Sequence, residues 1–415
     1  MILDRCDIPI VLAPLAGGPS TPELAAAVSN AGGLGFLAAG YLSAAELAAR
    51  CRRTGELTGR PFGVNLFVPG PAGDAGLVRR FATEIEGHVA DVGARLGEVR
   101  HDDDDWDAKI SYLTGDPGGS AASAAPAASS APAAPPAPAA APAVVSFTFG
   151  IPGADVIAAL RARGTEVWVT VTSLDDARRA AAAGADLLVV QGYEAGGHRG
   201  GTSDAPDEAV GLIALLQLIT ASVATPVVAA GGIATGQAIA AVLCLGARAA
   251  ALGTAFLDAA EAATAPAQRT ALRQDAPTRL TRAFSGRTAR GIENDFLRAH
   301  SESAPAAYPE VHHLTSPMRK AAREAGLADY VNLWAGQAYP LTATAPAAEI
   351  VRDLWTEARA ALNQAADRYI TRAGRNSPLI AKDLFIMKDW CSYTIRILRQ
   401  EKSLRDHGGF AGLRT

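Results

Sequence analysis

The feature that most constrains this chain is a regular alternation. Over the first 260 residues, short apolar runs alternate with Ala- and Leu-rich stretches of helical period, and Gly or Pro separates them. The apolar runs fall at 10–13, 34–38, 62–66, 144–147, 166–171, 187–190, 227–229 and 249–252. Helical stretches follow at 22–31, 43–54, 76–96, 154–163, 174–183, 209–222 and 235–245. Continuous apolar runs are the pattern of strands buried on both faces of a parallel sheet. Eight such strands with helices between them predict an α/β fold, a (β/α)8 TIM barrel over residues 1–260. A doubly wound open sheet uses the same units, but no GxGxxG phosphate fingerprint follows the first run.

Other segments break the repeat. Residues 117–143 contain only Gly, Ala, Ser and Pro, seven of them Pro. Such a tract buries too little apolar surface to offset its ordering entropy, so 115–143 is expected to be a disordered Ala/Pro insertion. The run His101, Asp102 to Asp105, Trp106 and Asp107 reads as a solvated acidic turn, because its carboxylates lack the spacing of a metal loop. Residues 261–362 are expected to be a helical, lid-like segment packing on the barrel. The last stretch, 363–415, carries ten Lys and Arg against five Asp and Glu. Ile380, Leu384, Met387, Cys391, Ile395 and Leu398 recur there at helical spacing. A basic helical extension follows, packed on the barrel or on a second subunit, which makes a homodimer an expectation.

Composition excludes several classes. With 42 acidic against 38 basic residues the net charge is −4, so no surface dedicated to nucleic acid is expected. Four cysteines without a CxxC pair give neither a disulfide framework nor a zinc site, and no metal is expected. The N-terminus has no basic region followed by a long apolar core, the signature of a signal peptide. Residues 209–247 carry no charge, but Gln217, Pro226, Gly231, Gly232 and Gln237 interrupt them, so a membrane span is not expected. A cytoplasmic location is the corresponding expectation.

In a barrel of this kind the chemistry sits at the C-terminal ends of the strands. After the sixth run comes Gln191-Gly-Tyr-Glu-Ala-Gly-Gly-His198-Arg-Gly-Gly, in which five of eleven residues are Gly. Glycine allows close backbone approach to a ligand, and a histidine in such a loop is a candidate acid or base. Gly231-Gly232 and Leu252-Gly253-Thr254 follow the seventh and eighth runs, where this fold cradles phosphate. The N-terminus of the helix after 235 would add the positive end of its dipole. Asn65, ending the third run, points to the same mouth. Lys109 is the only lysine before residue 320 and is not at a strand end, which removes Schiff-base chemistry.

Together these blocks resemble the nitronate monooxygenase family, formerly the 2-nitropropane dioxygenases. The matching stretches include PLAGG, LAAAVSNAGGLGFLAAG, PFGVNLF, VVQGYEAGGHRGG, VVAAGGI, LGTAFL, SGRTARGIEN and HHLTSPMRKAAREAG, over residues 8–362. The resemblance implies FMN at the strand ends, lined by Asn65, Gln191, Gly196, Gly232, Ala251, Leu252, Gly253 and Thr254, with Ser285 in a covering loop. It implies His198 as the catalytic histidine. The chain departs from the family at Leu15, where many relatives carry Met over the flavin. It departs again at Ala251, where Gln is common.

The implied reaction is oxidation of an alkyl nitronate, such as propionate 3-nitronate, by O2 to a carbonyl compound and nitrite. His198 would take the α-proton of a nitroalkane or hold its oxygens, with Glu194 as the rival base. Three other readings use the same loops: an FMN- and NADH-dependent enoyl-thioester reductase, a cofactor-free phosphate-binding isomerase or lyase, and a non-catalytic ligand-binding barrel.

Overall fold

The computed structural model describes residues 1–115, 141–204 and 209–370. Most of the Ala/Pro insertion and the basic extension beyond 370 lie outside the described residues. Residues 1–358 form one compact unit and 359–415 a second. The strands are β1 (Ile10–Leu12), β2 (Gly35–Ala38), β3 (Phe62–Phe67), β4 (Val144–Thr148), β5 (Glu166–Val171), β6 (Leu187–Gln191), β7 (Gly197–His198), β8 (Val227–Ala230), β9 (Ala249–Leu252), β10 (Thr278–Thr281) and β11 (Ala289–Ile292). Eight of them make one parallel sheet in the order β1-β9-β8-β6-β5-β4-β3-β2. A parallel bridge between Val11 and Leu34 joins its two edges, so the sheet closes into the expected barrel and leaves no open edge.

Period-two alternation divides the strand side chains. Val11, Phe36, Val144, Trp168, Val228, Ala249 and Ala251 fill the barrel interior, while Ile10, Leu12, Leu37, Val145 and Val169 face the helices. The alanines of β8 and β9 leave room for Trp168, whose ring lies 5.6 Å from that of Phe36. At the N-terminal end, Ile2 and Leu3 join this interior cluster, and the Ile2 amide donates to Glu166 Oε1 at 2.6 Å.

The helices are α1 (Pro22–Asn30), α2 (Ala44–Leu57), α3 (Ala75–Asp91), α4 (Trp106–Thr114), α5 (Ala154–Ala162), α6 (Leu174–Ala183), α7 (Leu212–Thr220), α8 (Gly236–Cys244), α9 (Pro266–Ala271), α10 (Asp295–His300), α11 (Glu310–Ala325) and α12 (Ala347–Ala365). Their starts are capped as the sequence dictates. Thr21, Ser43, Ser173, Thr235 and Asn294 each accept a backbone N–H of the first turn.

Two expectations are corrected. The stretch after β3 does not supply the third helix of the barrel layer. Val78, Phe81, Ile85 and Val89 of α3 pack instead with Phe284, Phe296, Val311, Leu314 and Met318 in a second core. The place between α2 and α5 belongs to α4, whose Tyr112 and Leu113 join the main core. The acidic run that precedes α4 is therefore not a simple solvated turn. Asp104 and Asp105 adopt positive φ and accept the amides of Tyr41 and Ala44. Asp104 also pairs at 2.8 Å with Lys109, which is 1% exposed. Among the described residues no cluster of ligands could hold a metal, and no helix is long and apolar enough to cross a membrane.

The segment from 261 onward is not wholly helical. The hairpin β10–β11 forms a three-stranded antiparallel sheet with β7, in which Ala289 pairs with His198 and Arg290 with Gly197. A strand-end loop of the barrel is thereby tied to the segment beside it.

The Lys109 pair gives a stability prediction. Removing one partner leaves a buried charge uncompensated, which costs more than the pair contributes. Asp104→Ala is expected to lose about 3 kcal/mol in urea unfolding. Retention of the wild-type midpoint would show that the ammonium is reached by water.

Candidate active site

The C-terminal ends of the strands open into a cavity of about 500 Å³. Asn65, Gln191, Gly196, His198, Gly232, Ala251, Gly253, Thr254 and Ser285 all line it. Leu252 does not: alternation turns Ala251 to the interior and Leu252, 1% exposed, into the helix-facing core.

Two backbone loops shape one side. Gly231 and Gly232 have φ of +98° and +70°, a region that glycine occupies without strain. A Cβ at Gly232 would lie 3.0 Å from Glu194 Cβ. Among the described residues the amides of Gly231, Gly232, Ile233, Ala234 and Gly253 donate to no acceptor. A cluster of unsatisfied N–H groups at a cavity wall is a seat for an anion. The start of α8 is not part of it, contrary to expectation. Its Gly236 amide is taken by Glu357 Oε2 at 3.1 Å and its Ala238 amide by Thr235 Oγ1 at 3.2 Å.

His198 lines the same cavity and is fixed from several directions. Its backbone is paired to β11, and its carbonyl accepts from Gln191 Nε2 at 3.1 Å. Gln191 Oε1 accepts the Gly200 amide at 2.8 Å, so both ends of that side chain hold the loop. Phe149, Tyr308 and Trp334 meet the imidazole edge to face, with centroids at 5.6, 5.9 and 5.6 Å. Its Nε2 lies 2.8 Å from Ser285 Oγ, which donates its one proton to the Arg287 carbonyl at 3.2 Å. We assign the tautomer in which Nε2–H donates to Ser285 and Nδ1 is unprotonated, the one that goes with Ser285 Oγ donating to the Arg287 carbonyl. Burial, reinforced by the Arg287 guanidinium, pushes the ring's pKa down to about 3.

Glu194 is turned away from this chemistry. Both carboxylate oxygens accept the first amide of α7, at 3.0 and 3.1 Å. Its carbonyl accepts the Gln337 amide. Its side chain and its backbone are thus both spent on holding the loop.

One face of α11 was not foreseen. His312, Ser316, Arg319 and Arg323 follow the i, i+4, i+7, i+11 spacing of a single helix face and line the cavity. The spacing was visible, but a polar helix face ordinarily faces water. Tyr41, Phe149, Asn332 and Trp334 also line the cavity and carry no local motif. Leu15, the departure from the family pattern, lines it too, with Cδ2 3.2 Å from a Cβ built on Gly253. Among the described residues the charged side chains on the wall are Arg319 and Arg323, and none is a carboxylate.

The comparisons now decide the family. The family model described as nitronate monooxygenase matches residues 4–133 and 137–357. The chain belongs to the nitronate monooxygenase family. It is accordingly a flavin-dependent oxidoreductase of the nitronate-oxidising kind. It is 40% identical over 369 residues to the nitronate monooxygenase of Paraburkholderia phytofirmans, covering 86% of this chain and 94% of that one. The nitronate monooxygenase of Pseudomonas aeruginosa is also 40% identical, over 85% and 96% of the two chains. Among solved structures, nitroalkane oxidase from Streptomyces ansochromogenes aligns with a TM-score of 0.80 and 46% identity, over 88% of this chain and 99% of that chain. FabK from Thermotoga maritima aligns with a TM-score of 0.64 at 26% identity, over 88% and 96%. The enoyl-reductase reading is thus the less supported. Membership sets aside the cofactor-free isomerase and the binding-only barrel.

The depressed basicity of His198 has a consequence for stability. The folded ring stays neutral down to about pH 3, whereas an unfolded chain takes up the proton near 6.5. Between those values the unfolded state binds more protons, so this contribution to stability is lost as pH falls from 6.5 toward 3. His198→Asn is expected to show a shallower fall of urea midpoint across that window. Parallel pH curves for the two proteins would mean that burial does not hold the ring neutral.

Proposed function

We propose that this cavity binds FMN and that the enzyme oxidises alkyl nitronates, such as propionate 3-nitronate, with O2 to a carbonyl compound and nitrite. The observation that carries the reading is the pairing of an amide cluster with a neutral imidazole in one cavity where, among the described residues, those amides meet no acceptor and no carboxylate lines the wall. When bound, FMN supplies acceptance of electrons from the nitronate and their passage to O2.

The residues present fit that group. The amides of Gly231 to Ala234 and of Gly253 would receive its phosphate, and the Thr254 hydroxyl, which accepts the Gly336 amide at 3.0 Å, retains a proton to donate. Asn65 Nδ2 is engaged by Ser146 and Thr148, which leaves Oδ1 to accept from a ring N–H. Gly196 lets the loop approach Gly336, whose amide a Cβ would meet at 2.4 Å. Ser285 and Gln191 act on the ligand through His198, which they hold.

The chain's own contribution is orientation, charge and one proton. A substrate nitronate is an anion, and a cavity whose charges are two guanidinium groups admits it without repulsion. His198 Nδ1 is the acceptor available for the α-proton of a neutral nitroalkane. Protonating that ring beside Arg287 is unfavourable until an anion forms next to it. Preformed nitronates bypass this step, so they are the better substrates.

Nitrite release tests the reading. Wild-type enzyme is expected to turn over a nitronate faster than its parent nitroalkane. His198→Asn is expected to keep its bound flavin and to lose about 10²- to 10⁴-fold with the nitroalkane, the range of a general base. Its nitronate turnover should fall by less than about tenfold. Equal losses on both substrates would remove the base role, and absence of nitrite from every nitronate would remove the reading. Gly232→Val, at a position of positive φ against Glu194, is expected to purify with less flavin.

A further inference from the structure

We propose that His312 is a second contact residue for the nitronate, donating from Nε2–H to one of its oxygens, and that Arg319 is the positioning residue that fixes the ring in this form. The inference rests on the nitronate-oxidising reading above.

His312 lies on the cavity-facing side of α11, stacked on Tyr41 with centroids 4.0 Å apart and planes at 2°. Its Nδ1 is 3.1 Å from Arg319 Nη2. A guanidinium can only donate, so Nδ1 accepts. A neutral imidazole that accepts at Nδ1 carries its proton on Nε2. Burial, then the Arg319 charge, hold the ring well below the usual histidine range. The other groups acting on it are His313 on the same helix, His198 in the same cavity lining and Arg100 ahead of α4. None of them is a carboxylate that would draw a second proton onto the ring.

Among the described residues Arg319 has no acidic partner. Its donors go to Thr315 Oγ1, Ser316 Oγ, the His312 carbonyl and Asn332 Oδ1, all neutral. Its charge is therefore felt along the imidazole, making Nε2–H a stronger donor to an anion. Among the described residues Nε2 meets no acceptor. A donor at a cavity wall with no protein acceptor calls for one from the ligand.

The two imidazoles then have opposite polarity. His198 presents a bare Nδ1, suited to a proton and not to an anionic oxygen. His312 presents a proton, suited to the oxygen and not to the carbon acid. The Tyr308 ring meets both, at 5.9 Å from His198 and 6.4 Å from His312. One substrate can thus be held by its nitro group at His312 while its α-carbon is served by His198.

The test uses flavin-loaded enzyme and two variants of one position. His312→Phe keeps an aromatic ring against Tyr41 and removes the donor. It is expected to raise KM for a nitronate by about 10- to 100-fold with unchanged flavin content. His312→Gln, which restores an N–H, is expected to recover most of the loss. The tautomer is read independently by long-range ¹H–¹⁵N spectra of ¹⁵N-histidine protein, with the His312 signals assigned by their loss in His312→Gln. Wild type should show protonated Nε2 and bare Nδ1 from pH 5 to 8, and Arg319→Met should let that ring titrate within the range. Nitrite release by wild type with an unaffected KM in His312→Phe overturns this inference alone, as does a proton on Nδ1. No nitrite from wild type with any nitronate overturns the functional reading with it.

Discussion

The pairing of Gly197 and His198 with Arg290 and Ala289 is the interaction on which the site depends. A Gly-rich loop at a strand end has no reason of its own to hold one conformation, because glycine loses the most entropy on ordering. Here the loop becomes an edge strand of a small antiparallel sheet, and its partner is the segment that follows the barrel. Arg290 adds to the pairing by donating to the Tyr193 carbonyl at 3.0 and 3.2 Å and lying over the Tyr193 ring. The imidazole is thereby positioned by two parts of the chain just over 90 residues apart. The barrel supplies the amides, and the hairpin and α11 supply the rest of the cavity's polarity.

Charge is distributed in the same economical way. Carboxylates near the mouth are engaged elsewhere: Glu194 with the start of α7 and Glu357 with the start of α8. The cavity is left with positive charge and donors. Such a wall suits an anionic substrate and an anionic cofactor group, and it disfavours a protonated imidazole. The neutral state of His198 and the proposed preference for an already ionised substrate have one physical origin.

Much of the barrel was legible in the sequence, because strands buried on both faces must be apolar throughout and the turns between them must be polar or glycine-rich. All eight barrel strands stand where those runs lie. The hairpin was not legible. Thr278-Arg-Leu-Thr and Ala289-Arg-Gly-Ile are short and mixed in polarity, and their pairing depends on β7, which is distant in sequence. α4 was hidden behind its acidic lead-in, whose carboxylates turned out to bond backbone amides and a buried lysine. For the site, glycine loops and His198 could be read from strand ends. The α11 face could not, since its His312, Ser316, Arg319 and Arg323 spacing equally describes a solvated helix. Gln191 lines the cavity as expected, and both ends of its amide also hold the loop.

The most direct measurement is an anaerobic titration of the purified enzyme with propionate 3-nitronate, followed by visible absorption and then by admission of air. The account predicts a flavin band that bleaches with the nitronate and returns in air with release of nitrite. A colourless protein would contradict it, and so would a flavin band that ignores the nitronate and bleaches only with NADH.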